Sequence, residues 1–216
     1  MAELAQARPN DAVLSEEGID DKARLSADRV WIVDPLDGTR EFGEPGRSDW
    51  AVHVALWARN AEGGEGNLIA GAVALPAQDL VLATSAETGA EPPAQPEPES
   101  QRPLRMVVSR SRASDLVKSV AARTGAELVP CGSAGAKVAT VIMGENDVYL
   151  HSGGFYEWDT AAPVVVARQR GFHVSRIDGS QVRYNQEDPL LPDILVCRPA
   201  IAPVLLDAIR EATYAI

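Results

Sequence analysis

Cysteine is almost missing from this chain: Cys131 and Cys197 are its only two among 216 residues. Two widely separated thiols form neither a disulfide framework nor a zinc-ligand spacing, so each reads as a buried free thiol. Basic residues are the minority charge, 20 Lys and Arg against 31 Asp and Glu, for a formal net charge of −11. That balance argues against a nucleic-acid partner, which needs a basic surface for phosphates. No apolar run approaches the roughly 18 residues that a membrane span requires. The opening Met-Ala-Glu-Leu-Ala-Gln-Ala-Arg lacks the apolar stretch of a secretory signal. The expectation is a cytoplasmic protein with neither nucleic acid nor membrane as partner. Hydrophobic residues at 45% and charged residues at 24% are ordinary for a globular chain, long enough for one large domain or two small ones. The acidic surplus reads either as solubility or as carboxylates converging on a cation. Spacing helps to separate the two.

No internal repeat is visible. Gly89 to Pro103 carries five prolines and no aliphatic residue larger than alanine, so it can neither bury a core face nor donate regularly to a ladder. It reads as an exposed loop dividing an N-terminal lobe, 1–88, from a C-terminal lobe, 104–216. The first lobe reads mainly as strands: Arg29 to Val33, Trp50 to Trp57, Leu68 to Leu75 and Leu80 to Ala83. The continuous apolar run Trp50 to Trp57 predicts a strand buried on both faces. The second lobe alternates. Strands are expected at Leu104–Ser109, Leu128–Cys131, Asp147–Leu150, Phe172–Ile177 and Ile194–Cys197. Helices are expected at Ala113–Thr124, Ala134–Met143, Thr160–Arg170 (with Pro163 in its first turn) and Ile201–Ala212. Strands followed by alternation predict an α/β architecture of stacked sheet and helix layers.

Four acidic places stand out: Glu16-Glu17, Asp34-Pro-Leu-Asp-Gly-Thr39, Glu41 and Asp159. A strand delivers Asp34 to its end, Pro35 turns the chain, and Asp37 comes back towards Asp34. Two carboxylates held that close repel unless a cation or proton lies between them. Mg²⁺ takes oxygen ligands and leaves positions for phosphate and water. The turn frees the Leu36 carbonyl as a further ligand, Gly38 lets the backbone approach an anion, and Thr39 can orient a water. Alone, the stretch reads equally as a plain turn, Asp159 as a helix N-cap, and Glu16 and Glu17 as solvated acids.

Taken together, Asp34-Pro-Leu-Asp-Gly-Thr39, Glu16 upstream and Trp158-Asp159 downstream resemble the inositol-monophosphatase superfamily of Mg²⁺-dependent, lithium-sensitive phosphomonoesterases. Within it, Thr39-Arg-Glu-Phe42, Cys131-Gly-Ser-Ala-Gly-Ala-Lys137 and Trp158-Asp-Thr-Ala-Ala162 are most similar to the CysQ-type 3′-phosphoadenosine-5′-phosphate phosphatases. Asp49-Trp-Ala-Val-His53 and Arg183-Tyr-Asn-Gln186 are similar to actinobacterial members, and read otherwise as strand core and surface loop. The resemblance implies a layered α-β-α-β-α sandwich of the sugar-phosphatase type. It implies Glu16, Asp34 and the Leu36 carbonyl as ligands of one Mg²⁺, with Asp34, Asp37 and Asp159 as ligands of another. Thr39 with Glu16 would activate the attacking water, making Glu16, Asp37 and Thr39 the catalytic set. Gly38 and Thr39 backbone N–H groups would bind phosphate, and Arg40, Gly132, Ser133 and Lys137 would contact the substrate. Lys137 reads otherwise as a solvated helix lysine, and Arg40 and Glu41 as partners of each other. His53, His151 and His173 read as packing residues.

Members of the superfamily carry a longer N-terminal segment, normally two helices and a further acid that supports a third metal and the water-orienting Thr, so the resemblance implies two or three Mg²⁺ ions. Here Met1 to Pro9 reads as the end of the second helix, so the outer helical layer is expected to be incomplete. A longer natural protein is favoured; the alternative is a catalytically weak chain that binds metal or phosphate. A same-family inositol-1-phosphate or fructose-1,6-bisphosphate phosphatase is the other alternative, against which Thr39-Arg-Glu-Phe42 stands. Members are often dimers, so the resemblance is compatible with a homodimer.

Overall fold

The structure is a computed structural model and describes residues 2–61, 66–85, 102–110 and 113–214. Of the Pro-rich segment, all but positions 102 and 103 lies outside the described residues. A short helix α1 (Ala2–Ala7) is followed by β1 (Ala12–Ser15), a 3-10 turn at Lys22–Ser26, β2 (Arg29–Asp37) and the single turn α2 (Thr39–Gly43). Then come β3 (Ala51–Ala58), β4 (Asn67–Leu75) and β5 (Leu80–Ala83). These strands form one sheet in the order β1-β2-β3-β4-β5, with β1 parallel to β2 and the rest antiparallel.

The second half supplies β6 (Arg105–Ser109), α3 (Asp115–Thr124), β7 (Glu127–Cys131), α4 (Ala134–Ile142), β8 (Val148–Tyr156) and α5 (Glu157–Gln169). It closes with β9 (His173–Ser175), β10 (Leu190–Cys197) and α6 (Ala202–Tyr214). Its sheet runs β7-β6-β8-β10-β9. Helices α4 and α5 lie between the two sheets, where Val138, Val141, Val164 and Val166 join Ile32, Ala55 and Val73 in one buried cluster. Helices α3 and α6 cover the far face of the second sheet, with Val117, Val120, Leu205 and Ile209 packed on Met106, Leu150 and Leu195. The expected layering holds: sheet, helices, sheet, helices, with α1 a helix of six residues.

Several expected boundaries change. The segment 50–57 is not buried on both faces. Ala51, His53, Ala55 and Trp57 are buried towards α5, while Val52, Val54 and Leu56 are part-exposed on the other side. An apolar sequence reports affinity for a core, not whether each face finds one. Helix α5 starts at Glu157, not Thr160, which places Pro163 in its second turn. There Pro163 cannot donate to the Asp159 carbonyl. Strand β8 continues past Leu150 to Tyr156, since Gly153 and Gly154 take φ +130° and +83° within it instead of ending it. Strand β10 starts at Leu190, and β9 shrinks to three residues. Both thiols are free; Cys197 is buried as expected, whereas Cys131 is only partly buried.

Candidate metal centre

Strand β2 carries Asp34 and Asp37 to the edge of a cavity of about 840 Å³ lying between the two sheets. The pairing of β2 with β3 is broken between Asp34 and Asp37, where Pro35 interrupts the ladder. Asp34 accepts the Leu36 N–H at 2.9 Å, closing the turn on its own side chain. The chain then passes through Gly38 at φ +88°, in the left-handed region, and enters α2 at Thr39. A side chain at Gly38 would be strained by that φ and would press on Ser133, 3.1 Å from a built Cβ.

The first turn of α5 brings Asp159 to the same place from the other side of the core. One oxygen from each of Asp34, Asp37 and Asp159 falls within 4.8 Å of the others. Asp159 is the third residue of α5, not its N-cap; its Oδ2 accepts the Tyr156 N–H at 2.6 Å. Asp37 accepts the Gly135 N–H at 2.9 Å and lies 3.4 Å from His53 Nε2. Gly135 permits that approach, because its Cβ would sit 2.0 Å from the His53 ring nitrogen. Glu16 lines the cavity just after β1, and Leu36, Gly38 and Thr39 line it where β2 passes into α2. The Thr39 hydroxyl donates to the Leu36 carbonyl at 3.3 Å. Glu17 is exposed and does not line the cavity.

The electrostatics fit a missing positive charge. Asp34 is fully buried, and its Oδ2 has no hydrogen-bond partner. Burial and then the Asp37 charge push the Asp34 carboxyl up to about 8, against the opposing Leu36 N–H. Burial and Asp37 likewise raise Asp159 to about 7. An orphaned buried carboxylate oxygen beside two further carboxylates is a hard, oxygen-rich donor set suited to a divalent cation.

The substrate-facing residues expected from sequence all line the cavity. Lys137 is buried, not solvated: its Nζ donates to the Gly132 carbonyl and lies 5.6 Å above the Tyr149 ring. Burial lowers its pKa, while the Asp37 charge opposes that shift. Ser133 caps α4 by accepting the Ala136 N–H at 2.9 Å, and the Gly132 N–H donates to Asp49 at 2.6 Å. Arg40 and Glu41 are not partners of each other. Arg40 meets Glu44 at 3.3 Å, and Glu41 meets Arg110 at 2.7 Å, because the single turn α2 points neighbouring side chains apart. Sequence reasoning missed Arg110 and the aromatic wall of Tyr149, His151, Phe155, Tyr156 and Trp158. The alternation of Tyr149 and His151 along β8 was the available signal.

A family model described as the inositol monophosphatase family matches residues 1–214. The chain belongs to the inositol monophosphatase family. The members of this family are metal-dependent phosphatases. The chain is 52% identical over 211 residues to a 3′-phosphoadenosine 5′-phosphate phosphatase of Mycobacterium bovis, covering 97% of this chain and 77% of that one. It is 30% identical over 190 residues to the 3′(2′),5′-bisphosphate nucleotidase CysQ of Escherichia coli K12, covering 85% and 74%. Among solved structures it resembles an inositol monophosphate-bound SaIMPase-II, with a TM-score of 0.78 at 20% identity, covering 99% of this chain and 82% of that one. At that identity the likeness speaks for the fold alone. Among the described residues no helix is long and apolar enough to cross a membrane.

Proposed function

We propose that this chain is a Mg²⁺-dependent, lithium-sensitive phosphomonoesterase that removes the 3′-phosphate of 3′-phosphoadenosine 5′-phosphate to leave AMP. That activity recycles a by-product of sulfate assimilation. The observation that carries the chemistry is the Asp34–Asp37–Asp159 cluster, two of its members buried and one part-buried, with the orphaned oxygen of Asp34. The 52% identity to a relative of that name supports the substrate.

Glu16, Asp34 and the Leu36 carbonyl are the donors for one cation, and Asp34, Asp37 and Asp159 for a second. Bound Mg²⁺ supplies charge neutralisation at phosphorus and a lowered pKa for the attacking water. The Thr39 hydroxyl would orient that water, and the Glu16 carboxylate would take up its proton. The Gly38 and Thr39 backbone N–H groups would bind the phosphate at the cavity wall they help to form. Lys137, already drawn into the cavity wall, offers the charge for the second phosphate, with Arg40, Gly132 and Ser133 shaping the rest of the pocket. The reading extends to a cytoplasmic homodimer, which rests on resemblance and is checked by light scattering and fractionation.

The test is phosphate release from 3′-phosphoadenosine 5′-phosphate, inositol 1-phosphate and fructose 1,6-bisphosphate, with and without Mg²⁺ and Li⁺. Mg²⁺-dependent, Li⁺-blocked release preferring the nucleotide is expected. Equal or faster turnover of inositol 1-phosphate contradicts the substrate. No turnover of any of the three contradicts the activity.

A further inference from the structure

The stretch Arg183-Tyr184-Asn185-Gln186 reads from sequence as a surface loop, yet Tyr184 is 3% and Asn185 6% exposed. It lies against the first turn of α5, directly behind Asp159. The fully buried Glu157 carboxylate accepts the Asn185 N–H at 2.7 Å and the Gln186 N–H at 2.8 Å. The Tyr184 hydroxyl donates to Thr160 Oγ1 at 3.1 Å. The Glu157 N–H donates to the Pro189 carbonyl at 2.9 Å. One loop therefore holds both the residue two before Asp159 and the residue one after it.

The loop is itself built for this grip. Asn185 takes φ +60°, a left-handed conformation that is uncommon outside glycine and better tolerated by asparagine than by most side chains. In it, two successive N–H groups converge on one carboxylate. Arg24, 1% exposed, braces the loop from the 3-10 turn: it donates to Asn185 Oδ1 at 2.7 Å, the Gln186 carbonyl at 2.8 Å and Asp20 at 2.6 Å.

The helix needs such external ties. The first four N–H groups of any helix lack internal partners, and Pro163 removes one more bond, the one that would reach the Asp159 carbonyl. Successive side chains fan out around a helix, so a small rotation of this turn would swing Asp159 away from Asp34 and Asp37.

We propose that Glu157 and Tyr184 are positioning residues that lock the rotation of the first α5 turn and so hold Asp159 in register with Asp34 and Asp37. The inference rests on the reading of these three aspartates as cation ligands. Outer partners that orient ligands typically change metal affinity by 10- to 100-fold when lost.

The experiment measures Mn²⁺ binding by electron paramagnetic resonance, with thermal unfolding recorded alongside, on the unaltered chain and on Glu157→Gln, Tyr184→Phe, Asp159→Asn and Leu205→Ala. Glu157→Gln keeps the shape but turns a donor towards one of the two N–H groups; it is expected to weaken Mn²⁺ about tenfold. Tyr184→Phe removes one hydrogen bond and is expected to weaken it about threefold. Leu205→Ala opens the distant α3–α6 cluster; it should lower the unfolding temperature and leave Mn²⁺ affinity unchanged. If Glu157→Gln does not fold, Tyr184→Phe decides. Unchanged Mn²⁺ affinity in both variants, with Asp159→Asn impaired, overturns the positioning role alone. No Mn²⁺ binding by the unaltered chain overturns the cation site and the positioning role with it.

Discussion

Two regions of this molecule bury aspartates, and they treat the charge in opposite ways. In the second sheet, Asp147 is 1% exposed and receives Arg102, Arg198 at 2.9 Å and the Arg105 N–H at 2.8 Å. Burial pushes its carboxyl up, but these partners outweigh it and hold the pKa below the usual range. In the cavity, Asp34 is as deeply buried, yet one N–H and the carboxylates of Asp37, Glu16 and Asp159 are its surroundings. Its pKa moves up instead. The first arrangement is complete within the chain and serves stability. The second leaves Asp34 Oδ2 without a partner, and on the proposed reading a cation completes it; burial without a partner is what points to a site.

The largest expected contrast is in catalysis. Asp37→Asn should reduce phosphate release about a thousandfold while the fold persists, whereas Asp147→Asn should leave turnover near that of the unaltered chain. Steady-state rates and circular dichroism on both variants check this. The converse holds for stability. Asp147→Asn leaves the part-buried guanidinium groups of Arg102 and Arg198 short of a partner and should cost about 2 kcal/mol in urea unfolding. Next in size is the cavity lysine. Lys137→Met removes the buried charge offered to the second phosphate, so KM for 3′-phosphoadenosine 5′-phosphate should rise about tenfold with little change in kcat. Inositol 1-phosphate, which has no second phosphate, should not register the change.

The last contrast is the pH dependence of metal-free stability. Asp34 and Asp159 have folded pKa values, about 8 and about 7, above their unfolded values. The folded state then binds more protons than the unfolded state between about pH 4 and 8, and stability falls as pH rises through that window. Asp147, with a lowered pKa, acts the other way: its contribution is present above the unfolded pKa and is lost as pH falls through the folded one. Thermal unfolding in chelator should therefore show an unfolding temperature that declines from pH 5 to pH 8, a decline that Mg²⁺ removes.

Much of the site was legible because it is local. Asp34, Pro35, Asp37 and Gly38 build their turn from neighbouring residues, and Ser133 caps the helix that follows it. The layering was legible for a similar reason, since alternating strands and helices have few ways to pack. What escaped depends on contacts between distant segments. Nothing near Lys137 in sequence says that Tyr149 will cover it. Nothing near Asn185 says that Glu157 will receive its N–H. Pro163 reads naturally as a first-turn residue, yet α5 begins at Glu157, whose N–H and carboxylate are bound by the distant 184–189 loop.

The most direct test of the central claim is calorimetric titration of Mg²⁺ into the chain at pH 7, repeated in buffers of different ionisation enthalpy. A cation entering between raised-pKa carboxylates must displace protons. The account predicts saturable binding with proton release, lost in Asp34→Asn and kept in Asp147→Asn. Absence of binding, or binding that is unchanged in Asp34→Asn, contradicts it.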